Sequence, residues 1–316
     1  MADPAAAKSE LAGWLASALG AESIDDLTRL SGGASRETWR FTADGRPLVV
    51  QRQRQGDERG MLVEAAVVRA AGEAGVPVPA LLHADDVGDG TTAMILEAID
   101  GETIARKIQR DDEYAEARPR LVGDFGRALA RIHRIDPTSV DGLASDDPVE
   151  FYTQVLDAVG EPHPVLELAR RWLIEHRPAE RAPCLVHGDF RLGNVIVDGD
   201  GLAAVIDWEL AHLGDPMEDL GWVCVRAWRF GQSAPVAGLG EREQLFAAYE
   251  AESGMVVDAA TVRWWEILGV WKWGIMCITQ MTAHRSGMVR SHELAAIGRR
   301  VCENELDLLD ALEGRW

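Results

Sequence analysis

Leu185-Val-His-Gly-Asp-Phe-Arg-Leu-Gly-Asn-Val-Ile-Val197, followed by Val205-Ile-Asp-Trp-Glu209, is the stretch on which the reading of this chain turns. Asp189 stands five positions before Asn194, and Asn194 thirteen before Asp207. Val195 to Val197 and Ala203 to Ile206 read as short strands flanking the turn Asp198-Gly-Asp-Gly201. A loop and a hairpin thus deliver a carboxylate, an amide and a second carboxylate. Metal-assisted phosphoryl transfer needs these groups: one carboxylate to orient a hydroxyl and accept its proton, an amide oxygen and another carboxylate to hold Mg²⁺ against the phosphates.

Upstream of this stretch the pattern is that of a small sheet. Leu11, Trp14, Leu15, Ala18 and Leu19 recur at helical spacing before Gly20. A turn-rich segment, Leu30 to Ser35, precedes the strand Thr38 to Thr42; Asp44-Gly45 is a hairpin signal, and Pro47 to Arg52 reads as the next strand. Met61 to Gly75 is helical by periodicity, and Leu81 to Ala84 and Thr92 to Glu97 read as two further strands. Beyond Gly101 long helical periodicities take over, as in Leu121, Phe125, Leu129 and Ile132, then Leu166 to His176 and Arg242 to Ser253. The expected fold is α+β and bilobal: a β-rich N-terminal lobe over residues 1–98 and a larger helical lobe over 99–316.

Bulk properties narrow the function. The 316 residues carry 52 acidic and 32 basic side chains, a formal net charge of −20, which opposes binding to nucleic acid or to an anionic membrane surface. The apolar stretch Trp264 to Ile278 is interrupted by Glu266 and Lys272 and is too short to span a bilayer. Cys184, Cys224, Cys277 and Cys302 include no C-x-x-C pair, and the N-terminus lacks the basic and apolar regions of a signal peptide. A reducing cytoplasm is the expected setting, and a homodimer is compatible with the sequence.

His187-Gly-Asp189 through Asn194, with Ile206-Asp207-Trp208, resembles the catalytic core of the aminoglycoside phosphotransferase and choline kinase-like superfamily. Trp208-Glu209 and Gly214-Asp-Pro-Met-Glu-Asp-Leu220 look most like the branch similar to the kinase-like domains of acyl-CoA dehydrogenase family members. The resemblance implies a protein kinase-like fold that binds ATP, or GTP, with Mg²⁺. It makes Asp189 the catalytic base, Asn194 and Asp207 the metal ligands, and His187 a structural residue of the loop.

The nucleotide side is less strongly marked. Ser31, Gly32, Gly33 and Ser35 fit the loop that covers the phosphates with backbone N–H groups. A strand cation paired with a helix carboxylate should hold the α- and β-phosphates. Arg52 with Glu64 is the expected pair, because Arg52 shares a strand face with Val50; Gln51 and Arg54 are its rivals in register. Fold analogy places adenine against the segment joining the lobes, through the backbone of Glu97 and Ile99. Asp215, followed by Pro and then by Glu218, is a helix-start signature, and it and Asp219 are expected to brace the loop of Asp207, next to Trp208. His133, at the end of an apolar helical face, reads as a satisfied core histidine.

Eight positions separate Asp207 from Asp215, which leaves no room for the peptide-docking activation segment of a protein kinase. The acceptor is therefore expected to be a small molecule bearing a hydroxyl, held by the C-terminal helices. Candidate contacts are Glu209, Trp271, and His284 and Arg285 of a locally basic patch. Alternatives are an aminoglycoside antibiotic kinase, a hydroxy-acid or hydroxyacyl-CoA kinase, a choline- or homoserine-like kinase and, from another class, a nucleotide-binding pseudokinase that regulates a partner.

Overall fold

The computed structural model describes residues 4–30, 36–53, 61–88 and 90–315. Asp44 and Gly45 both take positive φ (48° and 81°), as a two-residue hairpin of this kind requires, and they join β2 (Arg36–Ala43) to β3 (Arg46–Gln53). With β1 (Ile24–Arg29), β4 (Leu81–Asp86) and β5 (Thr92–Glu97) these strands form an antiparallel sheet in the order β1-β2-β3-β5-β4. Alternation assigns the two faces. Val50 and Ile95 pack with Leu11 and Leu15 of α1 (Pro4–Leu19), while Met94 and Leu96 join Ala65 and Val68 of α2 (Met61–Glu73).

The edge strand β1 went unpredicted. Its sequence, Ile-Asp-Asp-Leu-Thr-Arg, buries Leu27 alone and breaks register between Asp25 and Thr28, so it shows no alternation to read.

The helical lobe begins with α3 (Ala105–Arg110) and α4 (Arg118–Ile132), followed by α5 (Pro148–Val159) and α6 (Pro164–Glu175). A β-rich insertion then carries β6 (Cys184–Val186), β7 (Val195–Val197), β8 (Leu202–Val205) and β9 (His212–Gly214). The hairpin β7-β8 was expected; the pair β6-β9 was not, each strand being three residues long. After it come α7 (Met217–Trp222), α8 (Arg242–Ser253), α9 (Ala259–Arg285), α10 (His292–Gly298) and α11 (Val301–Leu312).

The 27-residue α9 is the axis of this lobe. Trp264 and Trp271 donate their indole N–H groups to the carbonyls of Leu173 and Leu166, which stitches α9 to α6. Trp271 is thereby fully buried in the core and does not wall a pocket, contrary to its expected role as a substrate contact. Against α9 lies α7, so close that a Cβ on Gly221 would meet the Glu266 backbone nitrogen at 2.7 Å. Glu266 itself is fully buried and accepts from Arg229 (3.0 Å), Arg242 (2.7 Å) and Arg263 (3.3 Å). Removing one partner of a buried ion cluster leaves charge unbalanced in a poor solvent, at a cost of about 3–5 kcal/mol. Glu266→Ala should lose stability on that scale in urea unfolding, whereas a loss under about 1 kcal/mol would show that the cluster does not hold α8 and α9 together.

Candidate active site

Gly188 has φ +77°, and a Cβ there would lie 2.4 Å from the carbonyl oxygen of Leu210, so no other residue fits the turn that presents Asp189. His187 is fully buried, and burial holds its imidazole below its ordinary pKa, hence neutral. Its Nδ1 accepts from the Asp189 N–H (3.2 Å) and its Nε2 donates to the carbonyl of Ile206 (3.1 Å). One imidazole thus ties the loop of Asp189 to the residue before Asp207, the structural part expected of it. Trp208 closes over this joint, its ring 4.6 Å from that of His187.

Both oxygens of Asp189 are held. Oδ1 accepts from the indole of Trp222 (2.8 Å) and the guanidinium of Arg191 (3.0 Å), and Oδ2 from the amide of Asn194 (2.6 Å). Asn194 spends its N–H groups on Asp189, which leaves its Oδ1 as the atom able to ligate a cation. Asp207 sits at φ 64°, a left-handed conformation that Asp tolerates better than most residues. Burial, with Glu209, Asp189 and Glu64 nearby, pushes its carboxyl up to about 7 against the pull of Arg36. Several carboxylates with so little opposing charge suit a hard divalent cation. Among the described residues no cluster of three His, Cys, Asp or Glu surrounds one point.

An apolar cleft of about 240 Å³ opens beside Asp207, lined by Val49, Gln51, Met94, Ile196 and Trp208 among others. Glu97 and Ile99 line it too, as expected for the segment joining the lobes. Gln51 Oε1 is buried there with no hydrogen-bond partner among the described residues, an orphaned polar atom that a bound nucleotide could satisfy.

The expected Arg52–Glu64 pair is not formed. Arg52 lies on the Val50 face of β3, which packs toward α1, and its Nε donates to Thr91 (3.2 Å). Glu64 pairs instead with Arg36 at the start of β2, and Arg36 also reaches Glu209 at 3.5 Å. The strand parity of Arg36, Thr38 and Arg40, the last two lining the cleft, was the available signal. Glu64 further accepts from the Trp208 N–H (3.2 Å), which links α2 to the Asp207 loop. Ser31, Gly32, Gly33, Ser35 and the rival Arg54 lie outside the described residues.

Asp215 caps α7, accepting from the Met217 N–H at 2.8 Å. Asp219, expected to brace the Asp207 loop with it, instead accepts from the backbone N–H groups of His187 (2.8 Å) and Gly188 (2.9 Å). It also pairs with His133 (3.0 Å), whose Nδ1 meets Tyr249, so His133 is indeed a satisfied core histidine. Burial alone would raise the Asp219 carboxyl, but these partners outweigh it and hold the group at about 2. His284 accepts from the Ser291 N–H, and Arg285 is exposed and paired with Glu161. Twelve residues of helix, about 18 Å, separate His284 from Lys272, the α9 residue that reaches Gly188. Glu209, by contrast, pairs with Arg36 beside Asp207. Arg191, Trp222 and Lys272 went unpredicted as site residues.

The fold is protein kinase-like: a small antiparallel sheet over a helical lobe, with the cleft between them. Residues 26–255 match the phosphotransferase enzyme family APH, and the chain belongs to that family. It is 30% identical to mouse acyl-CoA dehydrogenase family member 10 over 227 residues, which cover 67% of this chain and 21% of that protein. The Escherichia coli hygromycin-B 4-O-kinase is 24% identical over 61% of this chain and 60% of its own. A Ralstonia eutropha JMP134 structure, provisionally assigned as an aminoglycoside phosphotransferase, superposes with a TM-score of 0.75 at 20% identity, covering 96% of this chain and 98% of that one. The aminoglycoside phosphotransferase APH(4)-Ia, in a ternary complex with AMP-PNP and hygromycin B, gives 0.63 at 18% identity over 92% and 98%. Among the described residues no helix is long and apolar enough to cross a membrane.

Asp207 yields a prediction with a definite sign. A carboxyl raised to about 7 in the fold but ordinary when unfolded costs stability once ionised, a cost that grows from about pH 4 and is complete above 7. Asp207→Asn should therefore melt about 2–5 °C above the parent at pH 8 without ligand, the gain shrinking as pH falls toward 4. With ATP and Mg²⁺ the order should reverse on the expectation that Asp207 is a metal ligand. A melting series at both pH values checks this, and an apo variant less stable at pH 8 would contradict it.

Proposed function

We propose that this chain transfers the γ-phosphoryl group of ATP to a hydroxyl group of a small molecule. Residues 1–98 form the nucleotide lobe and 99–316 the catalytic and substrate lobe. The observation that carries the reading is the joint held by His187, which ties the loop of Asp189, itself bonded to Asn194, to the residue before Asp207, and Asp207 lines an apolar cleft. Asp189 orients the acceptor hydroxyl and takes its proton as the new O–P bond forms. The bond from the γ-phosphorus to the β–γ bridging oxygen breaks in line, and ADP leaves. Asn194 and Asp207 hold Mg²⁺, which supplies neutralisation of the phosphate charge. Arg36, set by Glu64, faces the phosphates in place of the β3 cation of protein kinases. Most of the acceleration comes from positioning and charge, since little covalent chemistry falls to the protein.

On the acceptor side, Arg191 stacks on Trp228 at 4.7 Å with its Nε 3.0 Å from Asp189. A cation at that spot disfavours a polycationic aminoglycoside and favours an acceptor that carries an anionic group. The aminoglycoside alternative keeps its support from the hygromycin-B kinases among the relatives.

Melting with ATP or GTP, each with and without Mg²⁺, tests the reading first. Stabilisation that requires Mg²⁺ and grows with ligand concentration is expected; no shift at millimolar nucleotide would remove the enzyme reading and the nucleotide-binding pseudokinase with it, and leave a partner-binding role. Asp189→Ala should retain that stabilisation and lose turnover by at least about 10³-fold in an ADP-release assay over a panel of hydroxy acids, their CoA thioesters and aminoglycosides. Arg36→Met should raise KM for ATP by about tenfold or more, while Arg52→Met stays within about twofold of the parent; the opposite ranking would restore the β3 assignment.

A further inference from the structure

Lys272 lies in the middle of α9 and is 3% exposed. Its ion-pair partner among the described residues is Glu218, at 3.5 Å, and Glu218 is also engaged by His212 at 3.1 Å. Burying an ammonium is costly, and an apolar side chain of similar volume at such a place is often neutral or stabilising. Core packing therefore gives no reason for a lysine on this apolar stretch of helix.

Its contacts supply one, because two of them lead to Asp189. The Nζ donates to the carbonyl oxygen of Gly188 at 3.1 Å, the oxygen of the peptide that enters Asp189. Gly188 has no side chain with which to fix that peptide, and its φ of +77° is one that few residues adopt. The same ammonium stands 4.6 Å from the centroid of the Trp222 ring, and Trp222 donates its indole N–H to Asp189 Oδ1 at 2.8 Å. Burial opposes the charged form, yet Tyr152, Glu218 and Asp189 around it keep the ammonium charged.

We infer that Lys272 is a positioning residue for the base: it anchors the Gly188–Asp189 peptide and the Trp222 ring, and so sets the direction in which the Asp189 carboxylate meets the acceptor. The inference rests on the phosphotransferase reading above. Asp219 fixes the N–H side of the same turn through His187 and Gly188, and Lys272 fixes its carbonyl side. The turn that carries the base is thus clamped from two elements, α7 and α9.

The test uses the full chain with Mg²⁺–ATP and water as acceptor, with ADP release and nucleotide-induced melting shifts as readouts. A misplacement of about 1 Å at a reacting group can cost about 10²-fold. Lys272→Met should lose kcat on that scale while KM for ATP and the Mg²⁺–ATP melting shift stay within about twofold of the parent. Lys272→Arg, which restores charge and donor, should recover about tenfold of the loss. Turnover of Lys272→Met within about threefold of the parent overturns the inference, and so does Lys272→Arg performing no better than Lys272→Met. Should Lys272→Met fail to fold, Trp222→Phe keeps the ring beneath the ammonium and removes the bond to Asp189. It should lower kcat by about tenfold at unchanged KM, and unchanged kcat overturns the inference. A parent with neither Mg²⁺–ATP hydrolysis nor transfer to any acceptor of the panel above would sink the phosphotransferase reading and this inference with it, whereas an active parent matched by Lys272→Met sinks the inference alone.

Discussion

The carboxylate of Asp219 is the constraint from which the site is hung. It is fully buried, where an ionised group survives only if its lone pairs are taken. They are: the backbone N–H groups of His187 and Gly188 and the imidazole of His133 converge on it. Through those bonds α7 fixes the loop entering Asp189, and through His133 and Tyr249 it engages α4 and α8. His187, held by its backbone, then carries the constraint onward with its side chain to Ile206, one residue before Asp207. The loops of Asp189 and Asp207 thereby share one support.

The cleft itself is built from two kinds of surface that meet at Asp207. Toward the sheet it is apolar, with Val49, Met94 and Leu96 suited to a flat aromatic base. Toward Asp207 it carries the carboxylates of Glu64 and Asp207, and Arg36 pairs with Glu64 and Glu209. Burial first, and the carboxylates of Glu209, Asp189 and Glu64 after it, raise Asp207 against the pull of Arg36.

The family relation and the geometry bear on different questions. The relatives that match in sequence include one of which this chain spans 21%, so it corresponds to a part of that longer protein. Structural neighbours under 25% identity speak to the fold. Around Asp189 particular side chains meet: Arg191 over Trp228, Trp222 on the Asp189 carboxylate, and Lys272 against the Trp222 ring.

The sequence by itself determined what is local. The hairpin at Asp44-Gly45, the helix start at Asp215, the short apolar run of β5 and the order of Asp189, Asn194 and Asp207 each depend on neighbours a few residues away, where spacing and turn chemistry suffice. The tertiary structure alone decided what depends on which face meets which partner. Arg52 and Arg36 are both strand cations, and the choice between them follows from α1 covering the Val50 face. Trp271 and Trp222 are both buried tryptophans, and one bonds a core carbonyl of α6 while the other bonds the base. Lys272 reads as an interruption in an apolar helix until the fold brings Gly188, 84 residues away, to its ammonium. Sequence periodicity reports that a face is buried, and only packing reports against what.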